Sequence, residues 1–162
     1  MSKYFVAYFS ASGETARLAK TVAGAVGGDL YEIVPEQRYS TADLNWQDQK
    51  SRSTLEMKDE ASRPAIAGKA EGIQEAEYVL VGFPIWWYQA PRVIQTFLES
   101  YDFSGKTVIP FCTSGGSGLG KTVEILKKSC SDSTKWKEGK RFSSRAGEGE
   151  IRSWIDSMGL SD

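Results

Sequence analysis

The chain has 162 residues, enough for one domain with a substantial core, and its composition is that of an ordinary soluble globular protein. A formal net charge of −1 gives no reason to expect nucleic acid or an acidic surface as a partner. The absence of histidine removes Ser-His-Asp and Cys-His catalysis and the commonest transition-metal ligand, and two cysteines are too few for a disulfide scaffold.

Residues 3–9 form an apolar run that reads as a strand buried on both faces. The next stretch, Ser10-Ala11-Ser12-Gly13-Glu14-Thr15-Ala16, is rich in hydroxyls and opens a helix over 15–26 with Leu18, Val22 and Val26 at helical spacing. A strand that turns into a helix this way presents free N–H groups and the positive end of a helix dipole, which suits a phosphate. The loop holds no Lys or Arg, so hydrogen bonds rather than ion pairs would hold the anion. A plain capped helix start is the other reading of the same residues.

Gly27-Gly28 ends the helix, and residues 29–34 mix polar and apolar positions, as an edge strand does; Pro35 closes it. Residues 36–72 form a polar tract too long for a bare connection, with a helical excursion expected over 47–58 and a short helix before Glu77. Tyr39 and Trp46 in this tract either anchor it on the core or belong to a lid over a ligand. Residues 78–83 are a second continuous apolar strand, followed by Pro84-Ile85-Trp86-Trp87-Tyr88. Pro91 then opens a helix with Ile94, Phe97, Leu98 and Tyr101 on one face. Residues 107–112 form a third buried strand, followed by Thr113-Ser114-Gly115-Gly116-Ser117-Gly118 and a helix over 121–129. A short last strand is expected within 136–142 and a final helix over 150–158. Cys112, at a strand end, reads as a small core residue rather than a redox thiol.

The alternation of strands and helices argues one α/β domain over residues 1–162, a doubly wound parallel sheet with right-handed crossovers. The loops after residues 9, 83 and 112 then gather on the carboxyl edge, where such sheets bind ligands. A hydroxyl-rich cradle, three consecutive aromatics and a glycine-rich backbone together suit a phosphorylated, flat, aromatic ligand. Trp86, Trp87 and Tyr88 are consecutive, so they cannot all point into the core.

These residues carry a resemblance. Ser10 to Thr15, Pro84-Ile85-Trp86-Trp87 with Ala90-Pro91-Arg92, and Pro110 to Gly118 together resemble a short-chain flavodoxin, in particular flavodoxin-like proteins with a Pro-Ile-Trp-Trp loop. The likeness spans nearly the whole chain. It implies five parallel strands in the order 2-1-3-4-5 and FMN as cofactor. It also implies that Ser10, Ser12, Gly13, Glu14, Thr15 and Ala16 hold the FMN phosphate. Pro84, Ile85, Trp86, Trp87 and Tyr88, with Thr113, Ser114, Gly115, Gly116, Ser117 and Gly118, would enclose the ring. Electron transfer to a partner protein is the implied role, with a small FMN-dependent reductase passing electrons from a reduced nicotinamide to a quinone-type acceptor as the alternative. Two departures bear on that role: the loop after Phe83 has no glycine, and the strongly acidic surface of many electron-carrier flavodoxins is missing.

A rival motif overlaps the third loop. Gly115-Gly116-Ser117-Gly118-Leu119-Gly120-Lys121-Thr122 matches the Walker A pattern in full, with Lys121 placed for terminal phosphates and Thr122 for magnesium. No later apolar strand ends in an Asp that would complete the magnesium site. The N-terminus lacks the features of a signal peptide and no run is long enough for a membrane span, so a cytoplasmic setting is expected.

Overall fold

The computed structural model describes residues 3–113 and 118–160. In chain order the first half contains β1 (Tyr4–Tyr8), α1 (Glu14–Val26), β2 (Asp29–Glu32), β3 (Val34–Pro35), α2 (Arg52–Lys58) and β4 (Ile66–Ala67). A 3₁₀ turn (Ile73–Glu75) follows, then β5 (Tyr78–Pro84), α3 (Arg92–Ser100), β6 (Thr107–Thr113), α4 (Thr122–Lys127), β7 (Lys135–Trp136), β8 (Lys140–Phe142) and α5 (Glu148–Ser157).

The main sheet runs β2-β1-β5-β6-β7, with β8 also paired to β6, and every pair is parallel. With the two pieces β7 and β8 counted as one interrupted strand, and the small antiparallel β3–β4 pair set aside, this is the expected 2-1-3-4-5 order. Parallel strands need helical crossovers, and the helices cover both faces. Side-chain alternation along β1 sorts the two cores. Val6 and Tyr8 pack with Leu18 and Val22 of α1 and Ile151 and Trp154 of α5. Phe5, Ala7 and Phe9 pack with Val93, Ile94 and Phe97 of α3 and Leu126 of α4. β5 and β6 are buried almost throughout, and each fully buried Val, Leu or Phe contributes about 1.5–3 kcal/mol. Gly82 in β5 is required by packing: a Cβ there would meet the Phe111 ring of β6 at 2.3 Å.

Several boundaries differ from expectation, each for a local reason. The excursion helix starts only at Arg52. Before it, the Asn45 and Asp48 side chains accept from the N–H groups of Gln47 and Lys50, which holds turns in place of a helix. Ser51 then caps α2 by accepting from Thr54 N. The short helix before Glu77 is the single 3₁₀ turn. The last strand divides at Gly139, whose φ of +81° and contact with Pro110 leave no room for a side chain: a Cβ would lie 2.5 Å from Pro110 O. The helix expected over 121–129 is confined to Thr122–Lys127, with ordinary turns beyond it.

Candidate functional site

β1, β5 and β6 end together on one sheet edge. Phe9 N donates to Gly82 O at 3.0 Å, and Ile85 N donates to Thr113 O at 3.1 Å, so the chain stays laced across the three strands as each one turns away. The loops that leave this edge are the three that the sequence singles out.

The first loop is held by its own residues. Ser10 Oγ accepts from Gly13 N and from Ala16 N, each at 3.1 Å. Gly13 has φ +93°, a left-handed conformation that favours glycine, and nothing lies within 4 Å of the place a Cβ would occupy. The N–H groups of Ser12, Glu14 and Thr15 have no protein acceptor among the described residues. Ser12, Gly13 and Glu14 are exposed, and the first turn of the 13-residue helix α1 begins there. Thr15 instead is buried, and its hydroxyl bonds Thr113 Oγ1 at 2.7 Å, which ties this loop to the end of β6. Ala16 is half-buried beneath it. This is a preformed cradle of donors at the positive end of a helix.

The second loop is a tight turn. Trp86 N donates to Gln89 O at 2.8 Å and Gln89 N returns to Trp86 O at 3.1 Å. The two residues between, Trp87 (φ +48°) and Tyr88 (φ +67°), are both left-handed, the pattern of a type I′ turn that usually requires Asn or Gly. Two bulky residues in this region store strain of about 1–2 kcal/mol each. The three aromatics part company as the sequence requires. Trp86 turns back and meets Phe9 and Tyr39 edge-on, at centroid distances of 5.7 and 5.4 Å. Trp87 and Tyr88 remain exposed, Tyr88 at 77%. Pro84 and Ile85, half-buried, lead into the turn.

Tyr39 is therefore an anchor: it closes an aromatic trio with Phe9 and Trp86, and its hydroxyl bonds the Glu56 carboxylate. The Arg52 guanidinium lies 3.9 Å from its ring centroid. Burial, reinforced by Glu56, pushes the Tyr39 phenol well above its ordinary pKa of 10.0. Trp46 makes no such anchor and is 69% exposed.

Arg92, which enters the resemblance only as the end of Ala90-Pro91-Arg92, proves to hold the second loop. It stands at the first position of α3, only 2% exposed, without an ion pair among the described residues. Its Nη1 donates to Gln89 Oε1 at 3.0 Å and to Gln95 Oε1 at 3.3 Å, its Nη2 to Met57 O at 2.8 Å, and its Nε to Glu56 O at 3.3 Å. Burial pulls its pKa down, with Glu60 and Asp59 opposing that shift. One guanidinium thus clamps the closing residue of the aromatic turn to the carboxyl end of α2. The sequence signals are the Ala90-Pro91-Arg92 match and a cation at the head of a helix whose other early positions, Val93 and Ile94, are apolar.

Of the third loop, Thr113 is the buried end of β6 and Gly118 is exposed; Ser114, Gly115, Gly116 and Ser117 lie outside the described residues. The rest of the Walker-like pattern is described. Thr122 is 0% exposed and its hydroxyl donates to Tyr88 O at 3.5 Å, so it serves the aromatic turn instead of facing a metal. β5, the neighbour of β6, ends in Phe83 and Pro84 and supplies no carboxylate. Cys112 is fully buried, which pushes its thiol pKa up to about 12, and Cys130 is raised to about 11 for the same reason. Neither is a reactive thiolate near neutrality. Among the described residues no cluster of His, Cys, Asp or Glu could hold a metal, and no helix is long and apolar enough to cross a membrane.

The family model described as flavodoxin matches residues 3–158. A crystal structure of a candidate flavoprotein from Bacteroides eggerthii is 49% identical, covering 99% of this chain and 100% of its own, with a TM-score of 0.92. A second, from Bacteroides uniformis, is 47% identical over 96% of this chain and 98% of its own, at a TM-score of 0.89. A flavoprotein from Lactobacillus acidophilus, solved in complex with FMN, shares the fold at 21% identity and a TM-score of 0.69, covering 96% of this chain and 99% of its own. No curated protein sequence matches the chain.

Proposed function

The chain belongs to the flavodoxin family, and from that premise we propose that it binds one FMN non-covalently on the carboxyl edge of its sheet and carries electrons through it. The observation that carries this reading is the cradle of N–H groups at Ser12, Glu14 and Thr15 that have no acceptor among the described residues, set at the same edge as the exposed Trp87 and Tyr88. That donor set fits a phosphate monoester, and the aromatic turn fits a flat ring beside it.

In this reading Ser12, Gly13, Glu14 and Thr15 give N–H groups to the phosphate, with the Ser12 hydroxyl as a further donor. Ser10 and Ala16 keep the loop in shape through the Ser10 Oγ bonds. Pro84, Ile85, Trp86, Trp87 and Tyr88, the Pro-Ile-Trp-Trp loop, flank the ring on one side. Thr113 to Gly118 flank it on the other. The flavin supplies the redox chemistry when bound. The protein would orient it through the phosphate cradle and the aromatic turn. Free Cys112 and Cys130 support a reducing, cytoplasmic setting. Electrons pass to a partner protein.

The test is an absorbance spectrum of purified protein after FMN is added and the excess is removed. Retained flavin bands at one FMN per chain are expected. A colourless protein after desalting would overturn the proposal.

A further inference from the structure

A second surface lies one strand beyond this site. Between Leu119–Gly120 and residues 136–141 there is an open cavity of about 510 Å³. Lys127, Lys137, Lys140 and Arg141 line it, against Glu124 and Glu138. Lys127, Lys137 and Lys140 make no ion pair among the described residues. The half-buried Trp136 forms part of its wall and, with Lys127, borders a second cavity of about 250 Å³, so the concavity continues past the indole.

The sequence concentrates charge here. Residues 119–141 hold seven Lys and Arg against three Asp and Glu, a net of +4, so the rest of the chain carries −5 to reach the overall −1. A chain that is nearly neutral as a whole therefore carries its excess of cations in this one segment, and four of the seven line the cavity. The cavity is built into the fold: Gly139 presses its backbone against Pro110 and Leu119, where any side chain would collide. It also adjoins the candidate site. Arg141 pairs in register with Cys112, and Phe142 with Thr113, the residue whose hydroxyl meets Thr15. Neighbouring strands lie about 5 Å apart, so this basic wall begins close to the loop that borders the proposed ring site.

We propose that this basic concavity is the docking face for an electron-transfer protein with an acidic surface. The inference rests on the reading that the adjoining edge holds the flavin. Charge complementarity selects the occupant: the cavity lining, four Lys and Arg against two Glu, is net +2 and attracts an acidic surface, while the net −5 of the chain outside residues 119–141 repels it, so approach is steered to the side that borders the redox site. Trp136 gives the contact an aromatic centre within a charged rim. The polarity is opposite to that of a carrier that presents an acidic surface to a basic partner.

The experiment is an NMR titration of the isotopically labelled, FMN-loaded protein with an oxidised [2Fe–2S] ferredoxin of strongly acidic surface as probe. Chemical-shift perturbation confined to residues 119–141 and the adjoining sheet edge is expected. Affinity should fall at least tenfold between low and physiological ionic strength. The Lys137→Glu/Lys140→Glu variant should weaken the probe at least tenfold while it retains FMN and an unchanged fold by its own spectrum. Perturbation elsewhere, no perturbation, or an unaffected variant would overturn the proposal. So would tighter binding of a short DNA duplex to the same residues, which would make the face a nucleic-acid surface. Failure to retain FMN is read separately, from the flavin absorbance, and would sink the flavin reading itself.

Discussion

At the end of β1 the chain turns through Ser10 to Gly13 and holds its shape with two hydrogen bonds from its own N–H groups to its own serine. At the end of β5 it turns through Trp87 and Tyr88, two bulky residues in left-handed conformations, and other elements hold it there. Arg92 of α3 grips Gln89, Thr122 of α4 donates to Tyr88 O, and Phe9 and Tyr39 pack on Trp86. The first loop is locally determined and unstrained, with glycine at its one left-handed position. The second is strained and depends on long-range contacts. An anion cradle needs only backbone N–H groups at a helix start. A ring-binding wall needs large aromatics in fixed places, and a tight turn with side chains outward is a costly way to present them.

The comparison breaks most visibly at Arg92. Arg92→Met should remove the clamp between α2, α3 and the aromatic turn and leave Met57 O without its donor, while Glu56 O keeps only the Asp59 N–H. A loss of about 2–4 kcal/mol in urea unfolding is expected, together with weaker FMN retention. Arg92→Lys should restore only part, because an ammonium cannot reach four acceptors in a planar fork. If Arg92→Met unfolds at the wild-type midpoint, the second loop does not depend on long-range support.

Ser10→Ala tests the first loop. It removes the acceptor for Gly13 N and Ala16 N, with an expected stability cost of about 1 kcal/mol. The cradle loses its shape at the same time, so the FMN dissociation constant should rise about tenfold, measured by flavin fluorescence quenching. Unchanged affinity would show that the cradle does not rely on Ser10.

The smallest effect is the most discriminating. Tyr88→Gly relieves one left-handed position and should raise the thermal midpoint of the flavin-free protein, by about 1 kcal/mol in stability. The same change to Gly13, already a glycine at φ +93°, has no equivalent, and Gly13→Ala should destabilise instead. A Tyr88→Gly protein less stable than the parent would mean that the exposed ring contributes contacts worth more than the strain.

The sequence by itself determined the sheet and the first loop. Apolar runs of five to seven residues, helices with apolar stripes and Gly13 placed before a helix are local patterns, and the physics that reads them acts over a few residues. β1, β5 and β6 follow from those runs, and the donors at Ser12 to Thr15 were legible because a helix N-terminus carries free N–H groups wherever it lies. The turns over 45–51 were less legible, since Asn45 and Asp48 compete with the helix through their own side chains. Only the tertiary structure decided that Arg92 is buried, that Trp86 turns inward while Trp87 and Tyr88 stay out, and that Thr122 of the Walker-like motif faces Tyr88 O. Each of these depends on a partner that the fold brings from 30 or more residues away or on a handedness that the turn's surroundings impose. Residue type does not announce such a partner: an arginine at the head of a helix reads as solvated until the carbonyls of another helix are found against it.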